Sequence, residues 1–389
     1  MRRPTPSAHP STRQYPVKPR PPFECIALLL QGGGALGAYQ GGVYQALAEA
    51  NIYPDWIAGI SIGAVNSALI AGNAPEQRVE KLRAFWEAIT IPQQLDASPY
   101  IHGDLAHGMI NQLYAGMSVT HGVPDFFKPR LPLPWFHPPG AAGATSFFDT
   151  SPLKSTLEQL VDFDRINEGE TRFSVGAVNV RSGNFVYFDN TRYTIKPEHI
   201  MASGALPPGF PAVEIEGEFY WDGGLVSNTP LDWVLNSSPQ KDTLAFQVDL
   251  WSATGDFPRE MSHVLTRQKE IQYSSRTRAS TDRFRGMQKY RYAIANLFEQ
   301  FPDELKNLPD AKLLKPEAVR KVYNIVELIY RAQHYEGDFK DYEFSRSSME
   351  DHWQAGYYDT VRTLRHERVL KRPDGEIVQT FDLTRDGEG

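Results

Sequence analysis

Cys25-Ile26-Ala27-Leu28-Leu29-Leu30-Gln31-Gly32-Gly33-Gly34-Ala35-Leu36-Gly37 is the stretch on which the fold turns. Its first half is apolar without alternation, as expected of a strand covered on both faces, and such strands belong to parallel sheets. The run Glu24–Gln31 is therefore read as the central strand. Three consecutive glycines break it, and a helix is expected from Leu36 to Ala50. A strand that passes through glycines into a helix brings backbone N–H groups together at a helix N-terminus, where anionic atoms are favoured.

The pattern repeats directly. Asp55–Ile60 reads as a second strand, Gly59-Ile60-Ser61-Ile62-Gly63 as a sharp turn, and Ile62–Ala71 as a buried helix stopped by Gly72-Asn73. An amphipathic helix is expected over Glu76–Ile89. Residues 95–148 then change character. Val123–Gly140 holds six prolines with Phe126, Phe127, Trp135 and Phe136, so this region is expected to be a long irregular insertion, a lid or a contact surface. Asp149 is a candidate cap for a helix over Pro152–Leu160. Arg172–Val180 and Asn184–Phe188 read as a hairpin. A short helix over Pro197–Ala205 and strands at Glu218–Trp221 and Leu244–Leu250 follow. Strands alternating with helices predict an α/β layered core over residues 23–250. Residues 251–389 form an extension of mixed α/β character. Within it Val322–Arg331 fits a strand or a helix, Ser348–Val369 reads as helical, and a turn at Arg372–Gly375 precedes a short strand.

Bulk properties narrow the function classes. The chain has 389 residues, 41% of them hydrophobic and 22% charged, ordinary for a globular protein with a large core. A net charge of -7 speaks against nucleic acid as a partner. One cysteine, Cys25, excludes a disulfide framework and fits a reducing, cytoplasmic setting. Its place in an apolar run marks it as a strand residue rather than a catalytic thiol. No apolar stretch of about 20 residues occurs, so no spanning helix is expected. Residues 1–22 are proline-rich and read as a disordered leader. The segment His263–Tyr292 carries eight Lys/Arg against two Asp/Glu. It reads either as a basic face for a membrane surface or as a solvated helix paired with acidic neighbours.

Three motifs carry chemistry. Gly32–Gly37 satisfies a dinucleotide-binding spacing, but that reading requires an acidic residue at the end of the second strand, where Gly59-Ile60-Ser61 stands instead. A phosphate loop is excluded too, because no Gly-Lys-Ser/Thr follows. Gly59–Gly63, between strand and helix, is the context of a nucleophile elbow, with Ser61 exposed on the turn. Trp221-Asp222-Gly223-Gly224 follows a strand and puts a carboxylate on a loop able to approach another closely. A histidine-containing triad fits poorly. His263, His334, His352 and His366 follow Asp222, none in a glycine-rich or strand-end context. Only one strand–helix unit precedes Ser61, too few for the α/β-hydrolase layout. No His/Cys/carboxylate cluster stands at ligand spacing, so neither metal nor cofactor is expected.

In this order the motifs resemble the patatin-like phospholipase family. Ala202-Ser203-Gly204-Ala205-Leu206-Pro207 through Phe210-Pro211 is similar to the block that precedes that family's aspartate. Asp222-Gly223-Gly224 with Asn228 and Pro230 resembles the aspartate block itself. The resemblance spans roughly residues 24–250, and the remainder looks similar to the extension of a bacterial subgroup. It implies a three-layer core with a mostly parallel central sheet and a serine acyl-hydrolase with Ser61 as nucleophile. It further implies Asp222 as sole base, the N–H groups of Gly32, Gly33 and Gly34 as oxyanion donors, and Gly37, Gly59, Gly63, Gly223 and Gly224 as motif support. The expected partner is a lipid acyl ester, phospholipid or acylglycerol, met at a membrane or lipid surface. A catalytically idle lipid-binding protein on the same fold is the alternative. The pattern assigns no oligomeric state.

Overall fold

The computed structural model describes residues 20–91, 96, 98, 103–274, 277–332, 336, 337, 339–374 and 377–384. The first 19 residues of the expected leader lie outside them. The chain opens with β1 (Cys25–Leu30), a single 3-10 turn at Gly34–Gly37 and α1 (Ala38–Glu49). β2 (Trp56–Gly59), α2 (Ile62–Ala71) and α3 (Arg78–Ala88) follow as the pattern requires. Next come α4 (Asp104–His121), the short strands β3 (Lys128–Pro129) and β4 (Phe148–Asp149), α5 (Ser151–Leu160) and α6 (Phe163–Glu168).

The expectation of irregular chain over 95–148 is corrected at α4. Gly103 and Gly122, both at positive φ, bound this helix, whose apolar residues lie on its buried side (Tyr114, Ala115) and on its exposed side (Met109, Leu113, Met117), so no single apolar stripe marks it. The cap of α5 also moves by one residue to Thr150, although Asp149 Oδ1 still accepts the Ser151 N–H at 2.9 Å.

The hairpin is β5 (Arg172–Asn179) with β6 (Phe185–Asp189). α7 (Pro197–Ser203), β7 (Val213–Ile215), β8 (Glu218–Asp222), α8 (Leu231–Leu235) and β9 (Thr243–Asp249) complete this part. Beyond it lie α9 (Met261–Tyr273), α10 (Thr277–Gln300), α11 (Asp303–Lys306) and α12 (Pro309–Leu314). The chain closes with β10 (Tyr323–Ile329), α13 (Arg346–Leu364), α14 (Glu367–Leu370) and β11 (Val378–Asp382). The ambiguous run at 322–331 is thus a strand, and the helix expected over 348–369 is interrupted after Leu364.

Nine strands form one sheet in the order β11-β10-β9-β1-β2-β5-β8-β7, with β6 also on β5. β11, β10, β9, β1, β2 and β5 run parallel. β1 explains why the sheet is covered on both faces. Ile26, Leu28 and Leu30 point into one hydrophobic cluster with α1, α2 and α3, while Cys25, Ala27 and Leu29 point into the other with α8 and Phe284 of α10. Each fully buried Leu contributes about 1.5–3 kcal/mol relative to exposure. The result is the three-layer α/β architecture with a mostly parallel sheet.

Residues beyond 250 continue this sheet: β10 pairs with β9 along its whole length, Tyr323 opposite Thr243 through Ile329 opposite Asp249. α13 lies on α1 so closely that only glycine fits. A Cβ at Gly42 would stand 1.8 Å from the Trp353 carbonyl oxygen, and one at Gly356 2.0 Å from that of Tyr39. Several cations of the basic segment pair with acids, Arg283 with Asp232 and Arg291 with Glu317 among them. Phe284 is buried edge-on against Tyr323, whereas Met287 and Leu297 are exposed.

Candidate active site

Strand pairing brings Ser61 to Asp222. On β5, β6 occupies one edge along Ser174–Val178. β2 and β8 must therefore share the other edge, β2 as far as Gly59 opposite Val175 and β8 from Asp222 opposite Ala177. The end of β8 stands where the chain leaves β2 for the Ser61 turn. The Ser61 side chain stands near enough to the Asp222 carboxylate to favour its ionised form, and both residues line one cavity.

Ser61 has φ 56° and ψ -124°, a strained conformation for a residue with a side chain. Its surroundings hold it there. Its N–H donates to Ser203 Oγ at 3.0 Å, and that hydroxyl donates to the Gly176 carbonyl at 2.7 Å. The flanking glycines leave room for the turn: a Cβ at Gly59 would meet the Gly63 carbonyl oxygen at 2.2 Å, and one at Gly63 the Leu30 carbonyl oxygen at 2.2 Å. Ser61 also caps α2, whose N-terminus adds positive potential at the hydroxyl.

Asp222 is 2% exposed. Burial pushes its pKa up to about 7, against the neighbouring Ser61 side chain and a hydrogen bond from the Gly224 N–H, 2.6 Å from Oδ1, both of which favour the ionised form. Gly223 packs where a Cβ would stand 2.6 Å from the Gly176 carbonyl oxygen. Burial outweighs these, so Asp222 is a carboxylate tuned by desolvation.

The glycine loop faces the pair. Asn228 grips Gly32 from both sides: its Nδ2 donates to the Gly32 carbonyl at 3.0 Å, and its backbone carbonyl accepts the Gly32 N–H at 3.4 Å. Among the described residues the N–H groups of Gly33 and Gly34 have no protein acceptor. Gly34 sits at φ +57°, and its open side is filled by the Asp341 carbonyl, 2.1 Å from where a Cβ would be. That carbonyl accepts the Ala35 N–H at 2.9 Å. Gly37 lets Ile62 and Trp86 pack against the loop's far end. Beneath it, buried Gln31 accepts the N–H groups of Leu250 and Trp251 at 2.6 and 2.9 Å.

Ser61, Asp222 and the three glycines line one cavity of about 410 Å³. Its walls are otherwise mostly apolar, with Phe126, Phe127, Phe147, Phe148, Phe210 and Phe344 contributing rings. Phe126 and Phe127 of the expected insertion are thus buried wall. Trp135 and Phe136 are exposed, and Trp135 packs against Phe147 at 5.3 Å.

No histidine lines the cavity among the described residues. His263 pairs with Glu260 on α9, His352 lies buried beside Glu336, and His366 precedes α14. His334 falls outside the described residues. Cys25 is buried in β1, where burial pushes its thiol up to about 11. Among the described residues no group of three or more His, Cys, Asp or Glu could hold a metal, and no helix is long and apolar enough to cross a membrane.

Part of the wall comes from residues with no local signature in the sequence. Trp251, Tyr273, Asp341, Tyr342 and Phe344 all lie beyond β9. The segment carrying the last three is tied to α9 by two ion pairs, Lys269 with Asp341 at 2.9 Å and Lys340 with Glu270 at 3.0 Å.

A buried carboxylate thus stands near a serine on a strained strand–helix turn, beside a glycine-rich loop, in a three-layer, mostly parallel fold. A family model described as patatin-like phospholipase matches residues 28–235, and the chain belongs to that family. A second family model, described as patatin phospholipase, matches residues 271–376. Patatin-like phospholipase domain-containing protein 7 of Mus musculus is 25% identical over 224 residues, covering 57% of this chain and 13% of the relative. Patatin-like phospholipase domain-containing protein 6 of Homo sapiens gives the same identity and coverage. The chain thus spans about an eighth of these relatives. VipD from Legionella pneumophila superposes with a TM-score of 0.36 at 14% identity, over 89% of this chain and 67% of that one.

Proposed function

We propose that the chain is a carboxylic-ester hydrolase of lipid acyl esters, phospholipid or acylglycerol, that works through a Ser61–Asp222 dyad. The placement of Ser61 beside a desolvated Asp222 in one largely apolar cavity carries this reading. Asp222 accepts the hydroxyl proton as Ser61 Oγ bonds to the ester carbonyl carbon. The oxyanion is stabilised by the N–H groups of Gly33 and Gly34, while Gly32, its own N–H held by Asn228, shapes the loop. Each such donor is worth roughly 10²–10³ in rate. Collapse breaks the ester C–O bond, and the leaving alcohol takes the proton from Asp222. Water then attacks the acyl-enzyme, Asp222 accepts its proton, and Ser61 departs carrying it. An ordinary aspartate, at about 3.9, is a poor base for serine, and a value near 7 suits the task better. Neither metal nor cofactor enters this scheme. The lipid is met as a peripheral contact from the cytoplasm.

A fluorophosphonate probe is expected to label the protein at Ser61, and Ser61→Ala to abolish both labelling and lipid consumption from a mixed extract. Lipid binding without labelling would make the chain an idle lipid-binding protein instead.

A further inference from the structure

A second cavity, of about 320 Å³, adjoins the one above Ser61. Among the described residues the two share just two lining side chains, Phe127 and Phe344. These rings stand 6.5 Å apart at 72° and are 7% and 3% exposed, so both are walls rather than surface. On the Ser61 side Phe127 is backed by Phe148 and Phe210, at 4.8 and 5.2 Å. On the other side lie Ile89, Ile91, Met117 and Val123. The Phe344 carbonyl accepts the Ile91 N–H at 2.9 Å, which fixes the backbone of the partition and leaves ring rotation as its freedom.

The second cavity holds no group able to attack an ester: its polar members are Ser118, His121, Asp125 and Lys128. Ser118 is spent on the Tyr114 carbonyl, and His121, Asp125 and Lys128 are exposed at the rim. Its apolar interior suits an alkyl chain, and among the described residues Phe127 and Phe344 are the side chains that face both cavities. We infer that Phe127 and Phe344 set the upper length of the acyl chain accepted at Ser61, by closing the acyl cavity off from the second cavity. This rests on the acyl-hydrolase reading. Chains that fit within the first cavity are processed. Longer ones meet the rings, and removing a ring joins the cavities and admits them.

The test compares kcat/KM for p-nitrophenyl butanoate, octanoate and hexadecanoate in the full chain, each variant referred to its own butanoate value so that a general loss of rate cancels. Phe344→Ala and Phe127→Ala are expected to raise the hexadecanoate-to-octanoate ratio about tenfold or more, since each added methylene accommodated in an apolar pocket is worth at least that order. Phe344→Leu and Phe127→Leu cover the case in which an alanine variant fails to fold. Met117→Trp fills the second cavity from its exposed edge. It should leave the wild-type ratio unchanged and return the Phe344→Ala ratio to it. An unchanged ratio in folded Phe344 and Phe127 variants overturns the inference. So does a wild-type ratio already lowered by Met117→Trp, because the cavities would then be joined in the native protein. If wild-type protein shows no Ser61-dependent hydrolysis of butanoate, the acyl-hydrolase reading itself fails.

Discussion

At Asp222 catalysis and stability pull in opposite directions. Its folded-state pKa, near 7, lies above the unfolded value of about 3.9. The folded protein therefore holds the proton more tightly than the unfolded chain. Below about pH 4 both states are protonated and burial of the group costs little. Between about 4 and 7 the unfolded chain ionises first, so stability falls as pH rises. Above about 7 the loss is complete, on the order of a few kcal/mol. As the proposed base, Asp222 must be ionised to act, so kcat/KM is expected to rise with unit slope to about pH 7 and then level. A profile already flat above pH 5 would refute the tuned aspartate. Asp222→Asn is expected to be inactive yet to melt higher than wild type at pH 8, with the gap closing toward pH 4. Ser203 acts on the elbow rather than on substrate. Ser203→Ala strands the partly buried Ser61 N–H, which costs about 1 kcal/mol or more. A reduced kcat with KM little changed would separate loss of elbow geometry from loss of binding. The elbow and Asp222 were legible because glycines and a strand end mark both. The apolar Trp221 beside it hinted at a buried, raised Asp222, but not at how complete that burial is, since Gly224, β5 and the cavity converge on Asp222 only after folding.

Among the elements, α1 and α13 show packing that leaves no slack. Gly42→Ala is expected to destabilise the protein by about 1–3 kcal/mol through its clash with the Trp353 carbonyl. Gly286→Ala, mid-helix in α10 with nothing within 4 Å of its Cβ position, should instead stabilise by about 0.5–1 kcal/mol. Melts of the two variants moving in the same direction would contradict this account. Elements of the first sequence quarter matched their expected bounds closely, α2 residue for residue, because apolar runs there end at glycines. α4 was missed because Gly108, Gly116 and several polar residues blur its periodicity. The run at 323–329 stayed ambiguous because seven mostly apolar residues fit either state. Its partner β9, about 80 positions earlier in the chain, decides the matter.

For the molecule as a whole, the strongest fact is how far the cavity wall is scattered along the chain. Lys269→Met leaves Asp341 without its cation. It is expected to cost about 1–3 kcal/mol, less than a fully buried pair because Lys269 is 25% exposed. It should also slow fluorophosphonate labelling, with Lys269→Met/Asp341→Asn recovering part of the melting temperature. Labelling as fast as wild type in a destabilised Lys269→Met would detach that segment from the glycine loop. Contacts such as Ala35 to Asp341 leave no trace in local sequence, because they join residues some 300 positions apart. They also impose an order on biosynthesis. A chain emerging from the ribosome exposes Ser61 and Asp222 long before it supplies Asp341, Tyr342 and Phe344. The proposed nucleophile is made first and its cavity is closed last, so the timing of activity in a newly made molecule is expected to follow the arrival of residue 344, not of residue 222.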